Sequence, residues 1–99
     1  MILAKIATEA MAEAKRADII HGSFPTIQHA AAVLRREEEE AWAEVWLKPV
    51  KREALRMELL HVAASAMRFI RLLDDGDAIG AKPWPNIPPQ PLRVGMEDL

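Results

Sequence analysis

Glu37, Glu40, Glu58 and His61 are the residues whose types and spacing suit chemistry: Glu-x-x-Glu in one helical stretch and Glu-x-x-His in the next. Each helical residue advances about 100°, so positions three apart lie about 60° apart and one turn along. Glu37 and Glu40 therefore point to one side of their helix, and Glu58 and His61 to one side of theirs. The first of these two stretches carries an apolar stripe of Ile27, Ala30, Ala31, Leu34, Ala41 and Val45, the spacing of a buried face, with Glu37, Glu38 and Glu44 on or beside it. Like charges turned inward together are costly unless a cation lies between them. A hard divalent metal is the common compensator of clustered oxygens.

The stretch that carries Glu58 and His61 supplies the other half. Its stripe reads Leu55, Leu59, Val62, Ala66, Phe69 and Leu73, flanked by Glu58 and His61. A short connection at Pro49 sends this helix back antiparallel, which brings Glu58 within reach of Glu37 and Glu40; facing helices of a bundle build metal sites in this way. Two plainer readings stand beside this one. Glutamates at 37 to 40 point around most of the helix, so Glu39, and Glu38 with it, are expected in water. His61 also reads as a hydrogen-bonded histidine at a helix interface.

With these residues in place, the chain resembles the MazG-like nucleoside triphosphate pyrophosphohydrolases, whose paired ExxE and ExxD motifs match Glu37 to Glu40 and Glu58 to His61. The words HGSF, EEAWAEVW and ALRMELLHVAASAMRFI add to the likeness, which covers about Ala17 to Leu73. The resemblance implies an all-α fold, a homodimer or homotetramer, and Mg²⁺ held by the motif carboxylates. The implied reaction is hydrolysis of an NTP or dNTP to the monophosphate and pyrophosphate. It makes Glu37, Glu40, Glu58 and His61 the metal set, with Glu44 the candidate general base. His61 departs from the pattern, since a neutral imidazole suits Mn²⁺ or a softer ion better than Mg²⁺. That substitution leaves a second reading open, a catalytically degenerate oligomer that binds nucleotides or proteins.

Three elements must position these groups. Residues 2 to about 20 read as a first helix with a small-residue stripe of Leu3, Ile6, Ala10, Ala14 and Ala17, suited to close approach by another helix. His21-Gly22-Ser23-Phe24-Pro25 interrupts it, and Thr26 reads as the N-cap of the second helix. Phe24 is expected either to anchor the loop on the core or to stack on a base. Trp42 and Trp46, one turn apart, read as core or subunit-interface packing. Lys51 and Arg52 in the connection, with Arg68 on the third helix, are the candidate triphosphate contacts; Arg56 and Arg71 are further cations there.

Composition bounds the rest. Ninety-nine residues make one small domain, which buries a modest fraction of its surface alone, so oligomerisation is a natural remedy. A net charge of −2 and no basic stripe give no long-range attraction for nucleic acid or anionic membrane, and neither is an expected partner. No apolar run approaches the roughly 20 residues that span a bilayer, and MILAKIATEAM does not read as a signal peptide. The absence of cysteine removes disulfides and thiolate metal sites and fits a cytoplasmic location. The expected architecture is an all-α domain over 1-79, three principal helices completed by oligomerisation. A Pro-rich irregular tail follows over 80-99.

Overall fold

In a computed structural model of the chain, residues 2–75 are described: α1 spans Ile2–His21, α2 Ile27–Val45 and α3 Arg52–Asp75. The Pro-rich tail and its boundary lie outside the described residues. The all-α expectation holds, with helix ends displaced by a few residues. At the end of α2 the Trp46 and Leu47 amides bond back to the Ala43 and Glu44 carbonyls at 3.4 and 3.3 Å. These tight i to i+3 bonds close the last turn, so the helix stops at Val45, short of the connection at Pro49.

The turn between α1 and α2 follows from its residues. Gly22 adopts φ 76°, a left-handed conformation that ends α1 at little steric cost, and its amide bonds the Asp18 carbonyl at 2.8 Å. Phe24 drops into the core, 5% exposed, beside Ala30 and Leu72. It is the loop anchor. Thr26 is extended, and its hydroxyl accepts the His29 amide at 3.0 Å, which caps α2. Thr26→Ala is expected to lower stability by about 1 kcal/mol, read as a shift of the chemical-denaturation midpoint with an unchanged slope.

α3 is the middle element: α1 and α2 each pack on it and not on each other. This position corrects the expected stripe. A helix wedged between two others buries the arc that faces both, here Leu60, Ala64, Ser65, Arg68 and Leu72, while Leu59 and Leu73 face out. On α2 the expected Ala30 and Ala41 are buried, but Ala31 and Val45 are exposed; on α1 Ala10 and Ala14 are buried and Leu3 is exposed.

Two ion-pair ties fix α1 to α3. Arg56 grips Glu9 with two bonds of 2.8 Å. Asp18 accepts from Arg71 at 2.6 and 2.9 Å and from Arg68 at 2.9 Å; Arg68 also donates to the Gly22 carbonyl at 2.7 Å and lies 4.2 Å over the Phe24 ring. Core packing of Trp42 and Trp46 is not met within one chain. They are 64% and 63% exposed and stack edge to face at 5.4 Å. Among the described residues no helix is long and apolar enough to cross a membrane.

Candidate metal centre

Because α1 and α2 diverge over α3, a cavity of about 280 Å³ opens between all three helices. Its floor is Ala64 and Ser65, whose small side chains leave the space. Glu13, Glu37, Glu40, Glu58 and His61 face it, with Arg16, Arg36 and Arg68 around them. A second hollow under the Phe24 loop, about 470 Å³, shares His21, Val33, Arg36 and Arg68 with the first.

Glu37 on α2 and Glu58 and His61 on α3 each offer a ligand atom, all within 4.8 Å of one another. His61 Nδ1 stands 3.3 Å from Glu58 Oε1 and 3.8 Å from Glu37 Oε2. Its other nitrogen, Nε2, faces Glu13 Oε1 at 3.4 Å. Helical spacing places Glu58 and His61 one turn apart, and antiparallel packing brings Glu37 to them, so local geometry and one helix contact suffice. Glu37 Oε2 is shielded from solvent without a hydrogen-bond partner. A buried carboxylate oxygen of that kind is costly, and a cation bound beside it would remove the cost.

The electrostatics agree. Burial raises the Glu37 carboxyl above its ordinary range, and the adjoining Glu40 carboxyl raises it further, against smaller opposing effects of His61 and Arg36. Glu13 moves the other way. The Arg16 guanidinium, bonded to it at 2.8 Å, holds it below the usual glutamate range, so it stays ionised. The donor set of two carboxylates and one imidazole fits a divalent ion of the Mn²⁺ type more comfortably than Mg²⁺.

The remaining expected site residues divide. Glu40 is exposed but borders the cavity beside Glu37. Glu44 lies one turn farther along α2, does not border the cavity, and leaves its shielded Oε1 without a partner. Lys51 and Arg52 are exposed and border neither hollow; Arg52 is six residues, about 9 Å of helix, from Glu58. Arg68 borders both hollows but commits Nε and Nη2 to Asp18 and Gly22. Arg56 and Arg71 are held by Glu9 and Asp18. Sequence spacing passed over Glu13 and Arg16 on α1 and Arg36 beside the motif. Their only local signal was an i, i+3 Glu-Arg pair and a position next to Glu37.

Fold and site together describe an all-α three-helix unit with a candidate metal-binding cluster, consistent with catalytic activity. Compared with known protein families, curated proteins and solved structures, the chain has no match.

Proposed function

We propose that this protein is a metal-dependent nucleoside triphosphate pyrophosphohydrolase, as its resemblance to the MazG-like enzymes implies. The observation that carries the reading is the convergence of Glu37 with Glu58 and His61 within 4.8 Å, from both motif helices. Glu37, Glu58 and His61 would hold the ion, with Glu40 beside them. A bound divalent ion supplies charge neutralisation at the phosphates and a more acidic water. Glu40, which adjoins the Glu37 carboxyl and borders the cavity, would serve as the general base in place of Glu44, which does not border it. Arg36 and Arg68 line both hollows and would meet the triphosphate there, with the larger hollow left for the nucleoside.

The oligomeric part of the reading rests on exposed apolar side chains. Ile2, Leu3, Trp42, Trp46, Leu59 and Leu73 are each more than half exposed in the single chain, apolar surface that a subunit interface would cover. A homodimer or homotetramer covers them. The test of activity is pyrophosphate release from a panel of ribo- and deoxyribonucleoside triphosphates with Mg²⁺, Mn²⁺ or neither. Release from at least one nucleotide that requires the ion is expected; none from any of them rejects the enzyme.

One observation favours the degenerate-module reading instead. His61 lies 3.3 to 3.8 Å from three carboxylates, Glu13, Glu37 and Glu58, so the ring occupies the space between acids that an ion would otherwise fill. His61→Asp separates the two. At a metal centre the change moves preference from Mn²⁺ toward Mg²⁺ in calorimetric titration. At a histidine that replaces the metal it destabilises the protein and confers no ion binding.

A further inference from the structure

We propose that Glu13 is a positioning residue for this centre: its carboxylate, reaching in from α1 to 3.4 Å from His61 Nε2, favours hydrogen on that nitrogen and so leaves Nδ1 as the nitrogen offered to an ion between Glu37 and Glu58. The inference rests on the metal reading of the cluster and concerns a residue outside both motifs.

The ring's two nitrogens face different acids. Nδ1 lies 3.3 Å from Glu58 and 3.8 Å from Glu37, the two carboxylates that complete the ligand set, while Nε2 lies 3.4 Å from Glu13, which does not belong to it. A neutral imidazole carries one N–H, so only the tautomer with hydrogen on Nε2 has a lone pair at Nδ1 for a metal. Glu58 opposes that tautomer, because Nδ1–H would donate to its carboxylate. Glu13 favours it. A carboxylate behind a metal-binding histidine is a recurrent device for setting tautomer and ring orientation.

Glu13 is itself anchored. Arg16 binds both of its oxygens, Nη2 to Oε1 at 2.8 Å and Nε to Oε2 at 3.3 Å, one turn along α1. The consequence is architectural: α1, which carries neither motif, sets the protonation geometry of a site built by α2 and α3. The two ties of α1 to α3, Glu9 to Arg56 and Asp18 to Arg71, lie on either side of Glu13 in sequence and hold it at that distance.

The test uses the full chain. Mn²⁺ affinity is measured by calorimetry for wild type, Glu13→Ala and Glu13→Gln, each alone and with His61→Asp. The His61 tautomer is read by ¹⁵N NMR in metal-free protein at a pH where the ring is neutral. Glu13→Ala is expected to weaken Mn²⁺ binding roughly 10- to 100-fold and to raise the Nδ1–H population. Glu13→Gln, which keeps the shape and an acceptor oxygen, recovers part of both and carries the test if the alanine variant fails to fold. With His61→Asp in place, the Glu13 changes should have no effect on affinity. Unaltered affinity, an unmoved tautomer, or an equal loss in the His61→Asp background each overturns the proposal. A wild type that binds no Mn²⁺ rejects the metal reading itself, whereas failure of Glu13 alone leaves Glu37, Glu58 and His61 as a centre.

Discussion

Glu37→Gln should abolish pyrophosphate release while raising the melting temperature of the metal-free protein. The two effects come from one carboxylate. Loss of its charge removes a proposed metal ligand, and a decrease in kcat/KM of roughly 10³-fold or more is expected, the rate equivalent of about 4 kcal/mol. Glu58→Gln is expected to reduce turnover comparably. The stability effect follows from burial, since Glu37 is only 15% exposed and its carboxyl is raised above the ordinary value of 4.5. A group whose folded pKa is raised binds its proton more tightly in the folded state. Its favourable contribution is complete below the unfolded value and is lost as pH rises through the folded one. At neutral pH the ionised carboxylate is therefore a net cost, which glutamine removes. Thermal melts without metal should show Glu37→Gln above wild type at pH 7, with the difference vanishing near pH 4. Mn²⁺ should raise the wild-type midpoint and leave the variant where it was. Wild-type turnover in Glu37→Gln would remove this carboxylate from the mechanism.

The largest structural loss is expected at Asp18, where Asp18→Ala should destabilise the fold by about 3 kcal/mol. Arg68 is 5% exposed, and Asp18 takes its Nε at 2.9 Å. Without Asp18 the buried guanidinium keeps only the Gly22 carbonyl and the Phe24 ring. An arginine left buried without its acid costs far more than a surface pair contributes. For a domain of this size the melting midpoint should fall by more than about 10 °C. The pH dependence has a definite sign. Arg71, then Arg68, hold the Asp18 carboxyl below its ordinary 3.8, so its contribution is present above the unfolded value and lost as pH falls through the folded one. The gap between wild type and Asp18→Ala should thus be full at pH 7 and begin to narrow below about pH 4. An unchanged midpoint at pH 7 would mean that Arg68 finds other compensation. The same bonds bear on the site, because Asp18 and Gly22 hold Arg68 at the junction of the two hollows.

Much of this arrangement was legible without coordinates. Thr26 as a cap and the three helices follow from backbone chemistry and apolar period, which act over a few residues, whereas burial of Phe24 in the core decides between the two roles open to it. The approach of Glu37 to Glu58 and His61 needed only one further assumption, that neighbouring helices joined by a short connection pack antiparallel. Which cations border the cavity was not legible. Lys51 and Arg52 looked suitable because they lie between the motifs in sequence, yet the connection sits at the end of the helix pair, away from the cavity at its middle.

The sequence by itself determined which stretches form helices, where α1 stops, and that two acids and a histidine stand on helix faces able to meet. Only the tertiary structure decided that α3 lies in the middle and turns its Leu60, Ala64, Arg68 and Leu72 row inward, leaving Leu59 and Leu73 outside. It alone brought Glu13 behind His61 and Asp18 against Arg68 and Arg71, pairs about fifty residues apart. The reason is one of range. Hydrogen-bond geometry repeats every turn and can be read locally, whereas the rotation of a helix about its axis is set by all the surfaces that pack on it at once.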